Sequence, residues 1–343
     1  MVLIDDVAES LGVSTATVSR ALRGLPGVAE TTRARVLKSA ERMGYVPSSA
    51  ASGLASGRTM AMGALLPVID QWYFSAVLEG IDRQLRAAGY DLIVFNLGGV
   101  GANRERVFHR SILRKRIDAL LVMGFGLTEE EQCSLQKLES PTMVVGGAVD
   151  GVRHVSIDDA AAVREAVEHL ISLGHTRIAH IRGGGSFEID FEVPRIRQAV
   201  YQQTMEDHGL EVRPEWSVYG DFRFSGGREA ALRLLADPLT RPTAVFCSSD
   251  EMALGVLRAA SELGVSVPEQ LSVVGIDDHE FSEPMGLTTI QQNPEDQGSY
   301  AASLLLDELL KKVYVEKPSV QPHRLIIRQT TAKPPAGPPA RQV

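Results

Sequence analysis

The side chains best placed to do chemistry in this 343-residue chain lie near its N-terminus, where Thr15, Ala16, Thr17 and Arg20 share one face of the helical pattern STATVSRALRG (14–24), opposite Val18 and Leu22. An arginine there can fork onto guanine O6 and N7, a threonine offers a hydroxyl or a methyl, and alanine is small enough to meet a thymine methyl. A helix-turn-helix that reads a DNA major groove is one reading of this face; a solvated amphipathic helix is the other. Enzymatic constellations are weak. His175 and His180 stand five apart, on opposite sides of an expected strand and without a third ligand, which argues against a metal. Neither GFG (124–126) nor GGG (183–185) has the spacing of a dinucleotide loop, and Ser248-Ser249-Asp250 reads as a strand end followed by a helix cap rather than a nucleophile. The expectation is a non-enzyme with no cofactor and no metal.

The elements that must position these groups follow from periodicity. Residues 1–46 hold no strand run, only helical segments at 4–12, 14–24 and 30–45, the first two joined by Gly12-Val13-Ser14 with Ser14 as N-cap. Val7, Ala8, Leu11, Val18, Leu22, Val36 and Leu37 are expected to form one small core, marginal without the third helix. The segment 47–59, PSSAASGLASGRT, is small and polar apart from Leu54 and reads as a linker. From residue 60 to 331 near-continuous apolar runs alternate with helical segments: ALLVMG (119–124), TMVVGG (142–147), RIAHIRG (177–183), TAVFCSS (243–249), LSVVGID (271–277). Such runs imply parallel strands covered on both faces. Helix stops recur at Gly89, Gly174, Gly209 and Gly264. About ten strands exceed one comfortable sheet, so the predicted fold class is α/β, two doubly wound lobes with a cleft at their strand C-termini, behind a small all-α head. Lobe 1 is expected over about 60–158 and 294–316, lobe 2 over about 159–290 and 318–331, and a disordered Pro-rich tail over 332–343.

Charge is uneven. Residues 1–60 carry seven Lys or Arg against five Asp or Glu, which leaves 28 against 38 in the rest of a chain of net charge -8. Cys133 and Cys247, the only cysteines, read as buried thiols rather than a disulfide. The acidic start MVLIDDVAES lacks the basic flank of a secretory leader, and no run reaches the length of a spanning helix. A cytoplasmic, nucleoid-associated protein without a membrane partner is expected.

DVAESLGVSTATVSRALRG followed by VAETTRARVLKSAERMGYVPS closely resembles the head of lactose-repressor (LacI) family transcription regulators. The resemblance continues through GYDL (89–92), VEHLISLGHTRIAHI (167–181), RPTAVFCSSDEMALGVLRAASELGVSVPEQLSVVGIDD (241–278) and LTTIQQN (287–293), nearly the whole chain. It implies a homodimer whose heads bind a double-stranded pseudo-palindromic operator; the short Pro-rich tail, without a heptad run, argues against a tetramer. It also implies a periplasmic-binding-protein-like body that senses a sugar-like small-molecule effector, and ligand weakening operator binding is the expectation. Carried over by position, Thr15, Ala16 and Arg20 become base readers. Ser14, Thr17, Ser19, Thr31, Thr32 and Arg33 become phosphate contacts, and Leu54 a minor-groove wedge in a segment helical only on DNA. Trp72, Tyr73, Phe74, Gly146, Arg197, Phe222, Ser249, Asp277 and Gln292 become effector-site residues, Arg197 with a guanidinium able to hold an anion. Ser48, Ser52, Gly53, Gly146, Val200 and Ser249 depart from the family pattern; Gly146 is expected to leave room for a larger ligand in a less polar cleft. The rival readings are a solute-binding transport component and a sugar-acting enzyme on the same two-lobed fold.

Overall fold

The computed structural model describes residues 2–22, 24–45, 58–98, 102–109, 116–124, 126–149, 151–184, 192–314 and 319–335. They fall into two compact units, one of residues 1–61 with 115–118, the other of 62–114 with 119–343.

In the first unit, α1 (Ile4–Leu11), α2 (Thr15–Leu22) and α3 (Glu30–Met43) pack pairwise around Val7, Ala8, Val18, Ala21, Val36 and Ala40. Gly12 closes α1 at φ +64, its N–H bonding to Glu9 and that of Val13 to Ala8, and the chain turns at once into α2. Ser14 caps α2 by accepting the Thr17 N–H at 3.2 Å. Leu37 does not join the core. It is 48% exposed, because the buried stripe of α3 runs through Val36 and Ala40, and position 37 lies about 100° around the helix. Asp118 pins the chain where it leaves this unit, accepting from the Thr59 N–H and hydroxyl and the Met60 N–H. Linker residues 46–57, Leu54 among them, lie outside the described residues.

The second unit carries two six-stranded sheets. The first contains β1 (Ala61–Leu66), β2 (Asp91–Asn96), β3 (Ala119–Met123), β4 (Thr142–Val145), β5 (His154–Ile157) and β11 (Ser319–Gln321), in the order β11-β5-β4-β3-β1-β2. The second contains β6 (Ile178–Arg182), β7 (Ser217–Tyr219), β8 (Ala244–Cys247), β9 (Ser272–Asp277), β10 (Thr288–Gln291) and β12 (Arg324–Ile326), in the order β12-β10-β9-β8-β6-β7. Only β12 runs antiparallel among the recorded pairings. Among the described residues the helices are α4 (Trp72–Ala88), α5 (Ala102–His109), α6 (Glu129–Gln136), α7 (Asp159–Ser172), α8 (Glu192–Asp207), α9 (Phe224–Leu234), α10 (Asp250–Glu262) and α11 (Pro294–Lys311).

Burial of β3, β8 and β9 at every position accounts for their unbroken apolar runs. In lobe 2, Ile181, Val245, Cys247 and Val273 pack under α9 and α10, while Ile178, Phe246, Val274 and Ile276 pack under α7 and α8. The chain crosses between lobes after β5, after β10 and between β11 and β12. The lobe boundary therefore moves: β11, expected in lobe 2, pairs in parallel with β5 of lobe 1. A strand of three residues leaves no periodicity to read.

Three other expectations change. Cys133 is exposed on α6, while Cys247 is buried as expected. His175 precedes the strand that holds His180 rather than sharing it, and each is buried in its own hydrogen-bond set. The segment expected to be disordered from 332 is held at its start, the Ala332 N–H donating to Ser272 Oγ while its carbonyl lies 2.8 Å from His175 Nε2.

Candidate functional site

On the head, α2 presents Thr15, Ala16 and Arg20 to solvent while Val18 and Ala21 turn into the core, so the face read from sequence is exposed. Thr17 and Ser19 are half-buried; the Thr17 hydroxyl lies 2.9 Å from that of exposed Ser14. At the start of α3, Thr31 is exposed and Thr32 half-buried. Arg33 is turned inward: its guanidinium donates to the carbonyls of Leu25 at 2.9 Å and Ala21 at 3.4 Å, so it holds the loop between α2 and α3. That side chain is already committed and is poorly placed for a phosphate.

In the body a cleft opens between the lobes, where strand C-termini and helix N-termini meet. Tyr73, Phe74, Gly146, Arg197, Phe222, Ser249, Asp277 and Gln292 line it together, with Gln71, Gly124, Ile157, Asp159, Val193, Pro194, Glu251 and Gln297. Trp72 does not line it. Its ring meets that of His279 of lobe 2 at a tilt of 42°, with centroids 4.6 Å apart, beside two hydrogen bonds from Arg223 to Asp70 at 2.9 and 3.1 Å. Gly146 leaves no vacant space. A Cβ there would stand 2.0 Å from the Tyr73 hydroxyl, so the phenol fills the room that glycine vacates, and at φ +75 the backbone also favours glycine. Phe222 packs likewise over Gly183, whose added Cβ would meet the ring at 1.9 Å.

Arg197, 5% exposed, is held by Asp159 at 2.7 Å through both Nε and Nη2, and donates through Nη1 to the Ser248 carbonyl. Its charge is thus paired within the protein rather than free for an anion. Asp277 ends β9 and accepts from Gln292 Nε2 and from the Asp250 N–H. Asp277 and Asp278 at φ +144 and +59, with Asp221 and Phe222 at +56 and +55, put strained backbone on two loops of the cleft.

Residues 3–48 match the pattern of bacterial regulatory proteins of the lacI family, and residues 167–331 match a periplasmic binding protein-like domain. Catabolite control protein A of Priestia megaterium is 34% identical over 337 residues, covering 96% of this chain and 99% of that protein. The PurR transcriptional repressor of Vibrio vulnificus is 32% identical, covering 97% and 99%. This chain belongs to the LacI family. Among solved structures, the lac repressor dimer bound to operator and the anti-inducer ONPF superposes with a TM-score of 0.83 at 27% identity, covering 96% of this chain and 99% of that one.

As a LacI-family protein, the chain carries its cleft polarity partly on Asp159 and Gln297, which sequence reading passed over. Asp159 and Gln292 stand next to two of the lobe crossovers. Gln297, on α11, accepts from the Tyr73 hydroxyl at 3.2 Å and donates to the Gln292 carbonyl at 2.7 Å. The exposed lining of the cleft is nonetheless mainly apolar. Asp159 follows the N-cap Asp158, which accepts the Ala161 N–H, and two adjacent aspartates at a helix start look like capping alone. Behind Asp277, Asp250 accepts from the Ser282 and Thr289 hydroxyls and the His279 N–H. Desolvation raises Asp250 to about 6 despite those bonds. Desolvation and the neighbouring Asp250 carboxylate push Asp277 well above the usual carboxylate range. Burial also lifts the Tyr73 phenol and lowers His180 to about 3. Among the described residues no cluster has metal-ligand geometry, and no helix is long and apolar enough to cross a membrane.

Proposed function

We propose that this protein is a transcriptional repressor that binds a pseudo-palindromic operator as a homodimer and releases it when a small molecule occupies the interlobe cleft. Its output is binding energy, not bond chemistry. The observation that carries the reading is the exposed Thr15, Ala16 and Arg20 face of α2, projecting from a lacI-type head whose own core is complete without it. Thr15, Ala16 and Arg20 read base edges; Ser14, Thr17, Ser19, Thr31 and Thr32 hold phosphates. The cleft residues Tyr73, Phe74, Arg197, Phe222, Ser249, Asp277 and Gln292 hold the effector. Operator release requires the ligand to prefer one lobe arrangement, since equal affinity for both shifts nothing. The relatives support this: two are a control protein and a repressor, and the lac repressor structure is a dimer on its operator with a small molecule bound. The lacI-type head also separates the chain from a solute-binding transport component.

Selection from a random DNA library, scored by gel shift at low salt, tests the reading. The expected product is an inverted repeat bound by the wild type and not by Arg20→Ala. Retention of random DNA alone, with no enriched sequence, overturns it.

A further inference from the structure

The charges that line the cleft narrow the chemistry of its occupant, an inference that rests on the ligand-sensing reading above. Three carboxylates, those of Asp159, Glu251 and Asp277, face one guanidinium, Arg197. That guanidinium is already bound to Asp159 and the Ser248 carbonyl, which leaves two of its five N–H groups.

Helix N-termini ordinarily suit phosphate. Three of them here carry the protein's own acids. Asp277 takes the Asp250 N–H that begins α10, and Asp158 takes the Ala161 N–H of α7. Glu192 stands in the first turn of α8. What remains is acceptors. Asp159 is more than nine-tenths buried, yet its Oδ2 accepts no hydrogen bond among the described residues, and neither does Oε1 of Gln292, a residue 4% exposed. Asp159, Arg197 and Asp277 all act electrostatically on the Tyr73 hydroxyl, the guanidinium against the two carboxyl groups. Burial raises Asp277 and Glu251 above the ordinary carboxylate range, with the Asp250 carboxylate adding to it at Asp277, while Arg197 acts the other way on Asp277 and Arg223 on Glu251. Tyr73, Phe74 and Phe222 wall the same space, and ring faces beside carboxylates favour an ammonium.

We propose that the effector carries a protonated amine on a hydroxylated or ring scaffold, and no phosphate or carboxylate. The ammonium bonds Asp159 Oδ2 and Gln292 Oε1, while hydroxyls meet Asp277 and the spare N–H groups of Arg197.

Thermal shift and calorimetric titration of the full-length chain test this with matched series: glucose, glucosamine and glucose 6-phosphate; galactose, galactosamine and galactose 1-phosphate; adenosine and AMP; putrescine and spermidine. The expected result is an amine-bearing compound that raises Tm and binds about tenfold or more tighter than its neutral parent, with no shift from any phosphate. Glu251→Gln and Asp159→Asn should each reduce that preference; Glu251 forms no salt bridge among the described residues, so its variant remains informative if Asp159→Asn misfolds. A phosphate bound tighter than its parent, an amine no better than its parent, or a panel with no amine hit overturns the proposal. Operator selection without ligand is scored separately. If no DNA site is selected, the regulator reading fails while the titrations still decide the charge of the ligand.

Discussion

Arg20 and Arg197 are both given to recognition in the proposed function, but they differ in what they already hold. Arg20 is exposed on α2 and enters no ion pair among the described residues, so its donors are offered outward. Arg197 is buried, with its charge matched by Asp159 and a third donor on a backbone carbonyl. The head keeps recognition apart from stability, whereas the body builds recognition into its packing. The contrast teaches that a residue free to read a partner is cheap to lose for the fold, and one fixed to sense a ligand is not.

The largest test is Arg197→Ala, which leaves Asp159 buried and uncompensated and should cost about 3–5 kcal/mol in urea unfolding. Arg20→Ala should change unfolding by less than about 0.5 kcal/mol. Equal losses would break the comparison. The second test is acid. His180 titrates near 3 in the folded state against about 6.5 unfolded, so its contribution is whole above pH 6.5 and falls as pH drops toward 3. Asp250, raised to about 6, works oppositely, taking its proton more readily when folded. Comparison with His180→Gln isolates the histidine: between pH 6.5 and 5 the wild type should lose about 2 kcal/mol relative to the variant. Parallel curves would mean His180 can take its proton in place.

On DNA the order reverses. Arg20→Ala should cost about 1–3 kcal/mol at one operator position and relax base preference there, measured by gel shift against base-substituted sites. The smallest effect is Ser14→Ala, about 1 kcal/mol from the lost N-cap of α2, read from unfolding of the head and from a matching fall in operator affinity.

What could be read from sequence divides along the same line. The reading face needed only helical periodicity, and strands β3, β8 and β9 only their unbroken apolar runs, because in both cases local pattern and final environment agree. Leu37 misled because apolarity was counted without its angle around α3. Tyr73 and Gly146 misled for a different reason: they stand 73 positions apart, and only the fold shows that one fills the absence in the other. Asp159 and Gln297 were passed over because neither belongs to a periodic pattern; each acquires its role through a partner, Arg197 in one case and Tyr73 in the other. β11 fell in the wrong lobe because so short a strand is specified by its neighbour rather than by its own residues.

The contact of Trp72 with His279 joins residues of the two lobes, and the chain has only one other tryptophan, Trp216, buried in lobe 2 beneath the Arg213 guanidinium. One indole is thus set across the seam that must open or tighten, while the other keeps constant surroundings. The protein carries its own optical gauge: emission from Trp72 should track lobe separation in the native chain, without an added dye, and a Trp216→Phe background would leave that signal undiluted.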